Sequence, residues 1–280
     1  MFSKKIYPIL VAALLVACGD DDSDFATRPS EGSSSSSVTP SSNSSEKAES
    51  SSSKVTDKVG EPVEPAEVTT GTMTDSRDGQ TYKTVTIGTQ TWMAENLNYA
   101  YTGVPFKVYS YTSDSTSWCY EDGESNCVKY GRFYTWAAAM DSVGTWSTNG
   151  KGCGYKKTCS PTYPVRGVCP EGWHLPTKAE FETLFTAVGG QSTAGKVLKS
   201  TSGWNSGGNG SDAFAFSALP AGHRDYYGDY NSEGDYARFW SSTESNSDDA
   251  YSMYLFYSVG DACLDYDGKF NGFSVRCLKD

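Results

Sequence analysis

Histidine is nearly missing from this chain: 280 residues hold two, His174 and His223. That leaves little material for a histidine-based acid–base relay or a histidine-rich metal centre. No C-x-x-C, G-x-S-x-G or D-x-D-x-D-G occurs, which removes the sequence signatures of a zinc ribbon, a serine-hydrolase elbow and a calcium loop. Positive charge is short as well, 23 Lys and Arg against 34 Asp and Glu for a net charge of −11, and nucleic-acid phosphates want the opposite balance. The longest apolar run, Ile6–Ala17, has twelve residues, whereas a helix crossing a bilayer needs about 20.

What that run does fit is a secretory signal, since Lys4 and Lys5 precede it and small residues follow. Its end, Leu15-Val16-Ala17-Cys18, resembles the lipobox of bacterial lipoproteins, in which the cysteine is acylated and becomes the new N-terminus. The acidic cluster behind it, Gly19-Asp20-Asp21-Asp22-Ser23-Asp24, resembles the surface-export signal of some Gram-negative lipoproteins. The resemblance implies a lipid anchor at Cys18 in the outer membrane, facing outward. Ser30–Ser53 then carries fourteen serines and no aromatic residue, too little apolar surface to offset its chain entropy. As a tether, Gly19–Thr70 spans roughly 40 Å, from about 5–6 Å × √n.

Gly71–Asp280 remains, long enough for one domain with a sizeable core. Loss of the two leader lysines takes the charge from −11 to −13, so neither nucleic acid nor an anionic lipid surface suits the domain. Seven cysteines follow Cys18, and an exported chain meets an oxidising compartment, so disulfides are expected. Cys119 with Cys127 and Cys153 with Cys159 would each close a short loop. The expected long pair is Cys169 with Cys277; closing roughly 100 residues is worth about 4–5 kcal/mol in the chain-entropy model. Cys263 is left over and expected as a free thiol.

Patterning predicts a mixed chain. Gln80–Ile87 and Thr91–Met93 read as a hairpin, and Phe133–Met140 as a short helix. In Cys169–Phe185, Thr177 and Glu180 form a T-x-x-E capping box, and Phe181, Leu184, Phe185 and Val188 repeat on one helical face. Gly189-Gly190 stops that helix, and Ala194–Lys199 reads as another. Phe214–Leu219, Arg238–Ser242, Ala250–Ser258 and Gly272–Leu278 are strand-like, with Asp267-Gly268 and Asn271-Gly272 as hairpin signals. In the last run Phe273, Val275 and Cys277 share an inward face. The class is α+β, a few helices on a mostly antiparallel sheet.

Five phrases in order, DGQTYKTVTIGTQTWMAENLNY, CPEGWHLPTKAEFETL, ALPAGHRD, FWSSTE and GFSVRCLKD, resemble the Fibrobacter succinogenes major paralogous domain over about Thr72–Asp280. The resemblance implies a surface-displayed domain. More distantly, GWHLPTKAEFE and GFSVRC are similar to phrases of formylglycine-generating enzymes, which implies a C-type-lectin-like domain with helices beside a long-looped antiparallel sheet. Those enzymes use paired redox cysteines that bind copper. The cysteines here sit in other phrases, so no oxidase chemistry and no cofactor is expected.

Two functions then compete. A non-catalytic binding module, recognising glycans or surface proteins, rests on Trp204, Tyr226, Tyr227, Tyr230 and Tyr236 in Gly/Asn/Asp-rich stretches, with His223, Arg224 and Asp225 beside them. The plainer reading of those rings is that they cover the edge of the sheet. A hydrolase of surface polysaccharide would need two of the carboxylates Asp225, Asp229, Glu233, Asp235, Glu244, Asp248 and Asp249 at a suitable separation, and nothing in the sequence selects a pair. Asp and Glu on loops are usually solvated. His174, placed where the matched enzymes carry arginine, is expected to be a structural donor.

Overall fold

The computed structural model describes residues 65, 67–108 and 111–280; the leader, Cys18 and the serine-rich tether lie outside these residues. The first strand, β1 (Thr69–Thr74), opens two residues before the boundary expected at Gly71. It pairs with β2 (Thr81–Ile87), and β2 turns through Gly88-Thr89 into β3 (Gln90–Met93), the hairpin expected from the Thr- and Val-rich runs. A second ribbon, β4 (Thr102–Val108) and β5 (Tyr111–Ser115), leads to β6 (Ser117–Trp118) and α1 (Glu124–Tyr130).

Phe133–Met140, expected as one helix, is divided. Phe133–Tyr134 is strand β7, and Thr135 then caps α2 (Trp136–Ala139) by accepting from the Ala138 amide at 3.3 Å. The correction has a local cause: two adjacent aromatic residues favour an extended strand, and the threonine offers its hydroxyl to a helix start only after them. Strand β8 (Trp173–His174) precedes α3 (Lys178–Ala187) and α4 (Gln191–Leu198). Both halves of the capping box form, and Phe181, Leu184, Phe185 and Val188 are all buried. A glycine inside α4 is unfavourable for helix propensity, but a Cβ at Gly195 would stand 2.2 Å from the Asp261 carbonyl oxygen, so close packing requires it.

The C-terminal third forms β9 (His223–Arg224), β10 (Tyr230–Asn231), β11 (Tyr236–Glu244), β12 (Asp249–Phe256), β13 (Ala262–Gly268), β14 (Phe273–Ser274) and β15 (Leu278–Lys279). One sheet runs β1-β2-β3-β15-β8, so the last strand ties the beginning of the domain to the segment before α3. The other runs β13-β12-β11-β14-β7-β6, antiparallel except where β14 lies parallel to β11. On one face of β11–β13, Phe239, Met253, Leu255 and Ala262 pack against Phe181, Leu184, Val197 and Leu198 of the helices. On the opposite side Trp240 and Phe273, 4.3 Å between ring centres, join Tyr134 and Trp136 beneath the loops. The molecule is α+β and sheet-dominated.

Two expectations about strands are corrected. Phe214–Leu219 is not a strand: Ala215 and Ser217 adopt positive φ (52° and 54°), and the Asp212 carboxylate accepts from the Ser217 amide at 2.7 Å and hydroxyl at 2.6 Å, folding the run into turns. Asp267-Gly268 and Asn271-Gly272 do not make a hairpin. The Asn271 amide closes a turn onto Gly268, after which β14 inserts between β11 and β7.

All three expected disulfides are present: Cys119–Cys127, Cys153–Cys159 and Cys169–Cys277. Cys263 is itself disulfide-bonded, which corrects the expectation of a leftover thiol. Parity singles out an unpaired cysteine only for the set counted, and counting cannot say which residue it is. Phe273, Val275 and Cys277 face inward as expected.

Candidate functional site: the β9–β10 turn and its footing

The segment Gly222–Asp235, which carries no regular period in the sequence, is a built structure. Gly222 sits at φ +72°, and a Cβ there would stand 2.2 Å from the Asn231 carbonyl oxygen, so only glycine lets the two sides of the turn close. His223 and Arg224 pair with Asn231 and Tyr230, and the Arg224 amide donates to the Gly272 carbonyl at 3.0 Å. The turn is therefore hydrogen-bonded to the sheet connection and does not hang free. Within it, the Asp225 carboxylate accepts from the amides of Tyr227 and Asp229, each at 2.9 Å, and from Asn231 Nδ2 at 3.3 Å. Asp225 thus holds the turn, as Asx residues do where a chain reverses.

The expected site residues separate into footing and surface. Arg224 is buried, its guanidinium 4.1 Å from the Trp118 ring centre and 5.6 Å from Tyr230. Tyr230 packs against Tyr120 and Phe133 and donates its hydroxyl to Asp122 at 2.6 Å. Burial, then the bond to Asp122, raises its pKa. Trp204 does not lie on a loop surface: it is 5% exposed in the core, and its indole N–H donates to Ser200 and to the Ala218 carbonyl. Tyr236 opens β11 and stacks on Phe256 at 4.4 Å, beside Arg238 at 4.9 Å. The remaining two tyrosines project from the turn itself. Tyr227 is 63% exposed, its ring 3.8 Å from that of Tyr226, and Tyr226 packs in turn against Phe270 at 5.3 Å.

His223 points the other way along its short strand from Arg224. Its ring stands edge-on to Phe273 at 6.0 Å, and its Nδ1 is buried without a hydrogen-bond partner. Burial, then the charge of Arg238, pushes its pKa down to about 4, so the ring is neutral at neutral pH. Arg238 pairs with Asp267, which also accepts from Asn271 Nδ2 at 2.7 Å. Arg238, Asp267 and Asn271 were not anticipated from the sequence. The alternation of Tyr236 and Arg238 along β11 was the available signal, since residues two apart share a face.

Most of the carboxylates considered for hydrolysis have structural partners. Glu233 accepts from the Tyr130 hydroxyl at 2.6 Å, Asp235 from Asn205 at 3.0 Å, and Asp249 from Asn246 at 3.0 Å. Asp248 accepts from the Ser247 hydroxyl at 2.8 Å. Glu244 pairs with Lys269, a fully buried ammonium that also donates to the carbonyls of Lys157, Asn246 and Ser247. That lysine ties the loop between β11 and β12 to the one around Lys157. His174 lies between Asp280 at Nδ1 (2.7 Å) and Glu180 at Nε2 (3.0 Å), joining the last residue to the helix cap. Among the described residues no three His, Cys, Asp or Glu side chains gather as metal ligands, and no helix is long and apolar enough to cross a membrane.

The last strand joins β3 to β8, and an aromatic turn stands on a hydrogen-bonded footing. Residues 85–279 match the model of the Fibrobacter succinogenes major domain, and the chain belongs to that family. Comparison with curated proteins and with solved structures returns no match.

Proposed function

We propose that this protein is a surface-displayed, lipid-anchored binding module that recognises glycans or cell-surface partners through the β9–β10 turn. The observation that carries the reading is Tyr227, a large ring left in solvent on a turn fixed by Asp225, with Tyr226 beside it. Aromatic rings presented rigidly give contact area at small entropic cost, and sugar faces and protein side chains both stack on them. Helices α3 and α4 packed on a mostly antiparallel sheet, with the first and last strands in one sheet, support a C-type-lectin-like fold. Engagement of the loop carboxylates in structural contacts favours binding over hydrolysis.

The anchor is Cys18, following the lipobox-like Leu15-Val16-Ala17, and outer-membrane display is the location this implies. Cys18→Ala should move the protein from the membrane fraction to the soluble one; unchanged fractionation contradicts the anchor. The binding reading is tested by retention of the full-length protein on insoluble polysaccharides and cell-wall material, comparing the wild type with Tyr226→Ala/Tyr227→Ala.

A further inference from the structure

The chain segregates its charge. Against a net charge of −11, the run from Ser142 to Pro170 holds Lys151, Lys156, Lys157 and Arg166 and not one Asp or Glu. Arg166 is engaged by carbonyls, those of Cys169 at 3.1 Å and Trp146 at 3.2 Å. The three lysines are exposed. Elsewhere Lys83, Lys129 and Lys178 each face a glutamate at 3.6–3.8 Å, whereas Lys151, Lys156 and Lys157 pair with no carboxylate among the described residues.

The backbone under Lys156 and Lys157 is held in place. The Cys153–Cys159 disulfide closes their loop, and the Lys157 amide donates to the Gly154 carbonyl at 3.3 Å, with Tyr155 and Lys156 (φ +59°) forming the bend between them. From the interior, Lys269 donates to the Lys157 carbonyl at 3.1 Å, its own charge matched by Glu244. Rings in contact join this loop to the β9–β10 turn. Lys156 Nζ stands 5.3 Å from the centre of the Tyr155 ring, Tyr155 5.1 Å from Phe270, Phe270 5.3 Å from Tyr226, and Tyr226 3.8 Å from the exposed Tyr227. A basic loop and an exposed ring thus lie at the two ends of one aromatic strip.

We infer that the ligand of the turn is an acidic polysaccharide: a sugar face packs on Tyr227 while carboxylates further along the same chain pair with Lys156 and Lys157. The inference rests on the reading of the turn as a binding site. Carboxylates repeated along a chain of sugar rings match both ends of the strip, whereas a neutral chain leaves the lysines unused. The charge of the whole domain does not forbid this, because exposed charges more than about 8 Å away are largely screened at physiological ionic strength. Nearby carboxylates set the direction instead. Asp225 already accepts from the amides of Tyr227 and Asp229, and Asp229 is exposed on the turn. The chain therefore meets the turn with a ring face and the loop with its carboxylates.

Calorimetric titration of the full-length protein with galacturonate and mannuronate pentamers tests this, with the methyl-esterified galacturonate pentamer and pentaglutamate as comparators. At least one uronate chain should bind, more tightly than either comparator. Lys156→Gln/Lys157→Gln, at exposed positions, should melt like the wild type and weaken this binding about tenfold or more, the effect of losing a hydrogen bond between charged groups. Raising salt to about 1 M, where the screening length falls to about 3 Å, should weaken it as well without any variant. Tyr227→Ala should also weaken it. Absence of binding to both uronate chains, equal or tighter binding of the ester or of pentaglutamate, or an affinity that neither salt nor the lysine pair alters would each overturn the inference. If the ester binds as well as the acid and Tyr227→Ala weakens both, the turn is a site for neutral chains and this inference alone falls. If the lysine pair matters and Tyr227→Ala does not, the reading of the turn falls with it.

Discussion

The surroundings of the two histidines move their pKa values in opposite directions. Burial alone would lower the pKa of His174, but the hydrogen bonds its ring makes to the Glu180 and Asp280 carboxylates outweigh it and raise the value above the usual 6.5. A raised folded-state pKa stabilises the fold fully below the unfolded value and ceases to as pH rises through the folded one. Wild type compared with His174→Gln should therefore show a stability advantage that is fully present below the ordinary value of 6.5 and shrinks as pH rises beyond it, read by denaturant melts at several pH values. An advantage that grows with pH would contradict the raised pKa. Neither shift was legible in the sequence, because Asp280 lies 106 residues from His174 along the chain. The same limit hid the roles of Trp204 and Tyr230: glycine-rich surroundings mark a turn, but whether its ring points to solvent depends on partners elsewhere.

At the level of elements, the clearest agreement lies where local chemistry is complete within a few residues. Thr177 and Glu180 close their capping box three residues apart, and the apolar face from Phe181 to Val188 is the face that packs on the sheet. Thr177→Ala should cost about 1 kcal/mol of stability, the usual worth of a cap, measured by thermal or denaturant unfolding. No loss would mean that Glu180, also held by His174, fixes the helix start alone. The hairpin of β2 and β3 was legible for the same reason. Strand β13 was not, since its pairing is set by β12 rather than by its own short sequence. Asp267-Gly268 has the composition of a hairpin turn yet only ends a strand.

Across the whole molecule, the Cys169–Cys277 bond, the pairing of Leu278 with Trp92 and His174, and the His174–Asp280 contact all bind the C-terminal segment to the interior. That closed frame was legible as a cysteine pairing and as a family resemblance. The footing of the β9–β10 turn was not, because it is assembled from Trp118, Tyr120, Phe133 and Gly272, residues spread over more than half the domain. A closed frame with one exposed ring, Tyr227, on a hydrogen-bonded turn supports the proposal that the protein is a binder. The decisive measurement is retention of full-length wild type and Tyr226→Ala/Tyr227→Ala on the polysaccharide or cell-wall fraction that captures the wild type, with melting temperatures alongside. The account predicts an unchanged melting temperature and at least a tenfold loss of retention, as expected when one large ring worth about 1.5–3 kcal/mol of burial is removed from a contact. A variant that melts like the wild type and is retained as well as the wild type would contradict it.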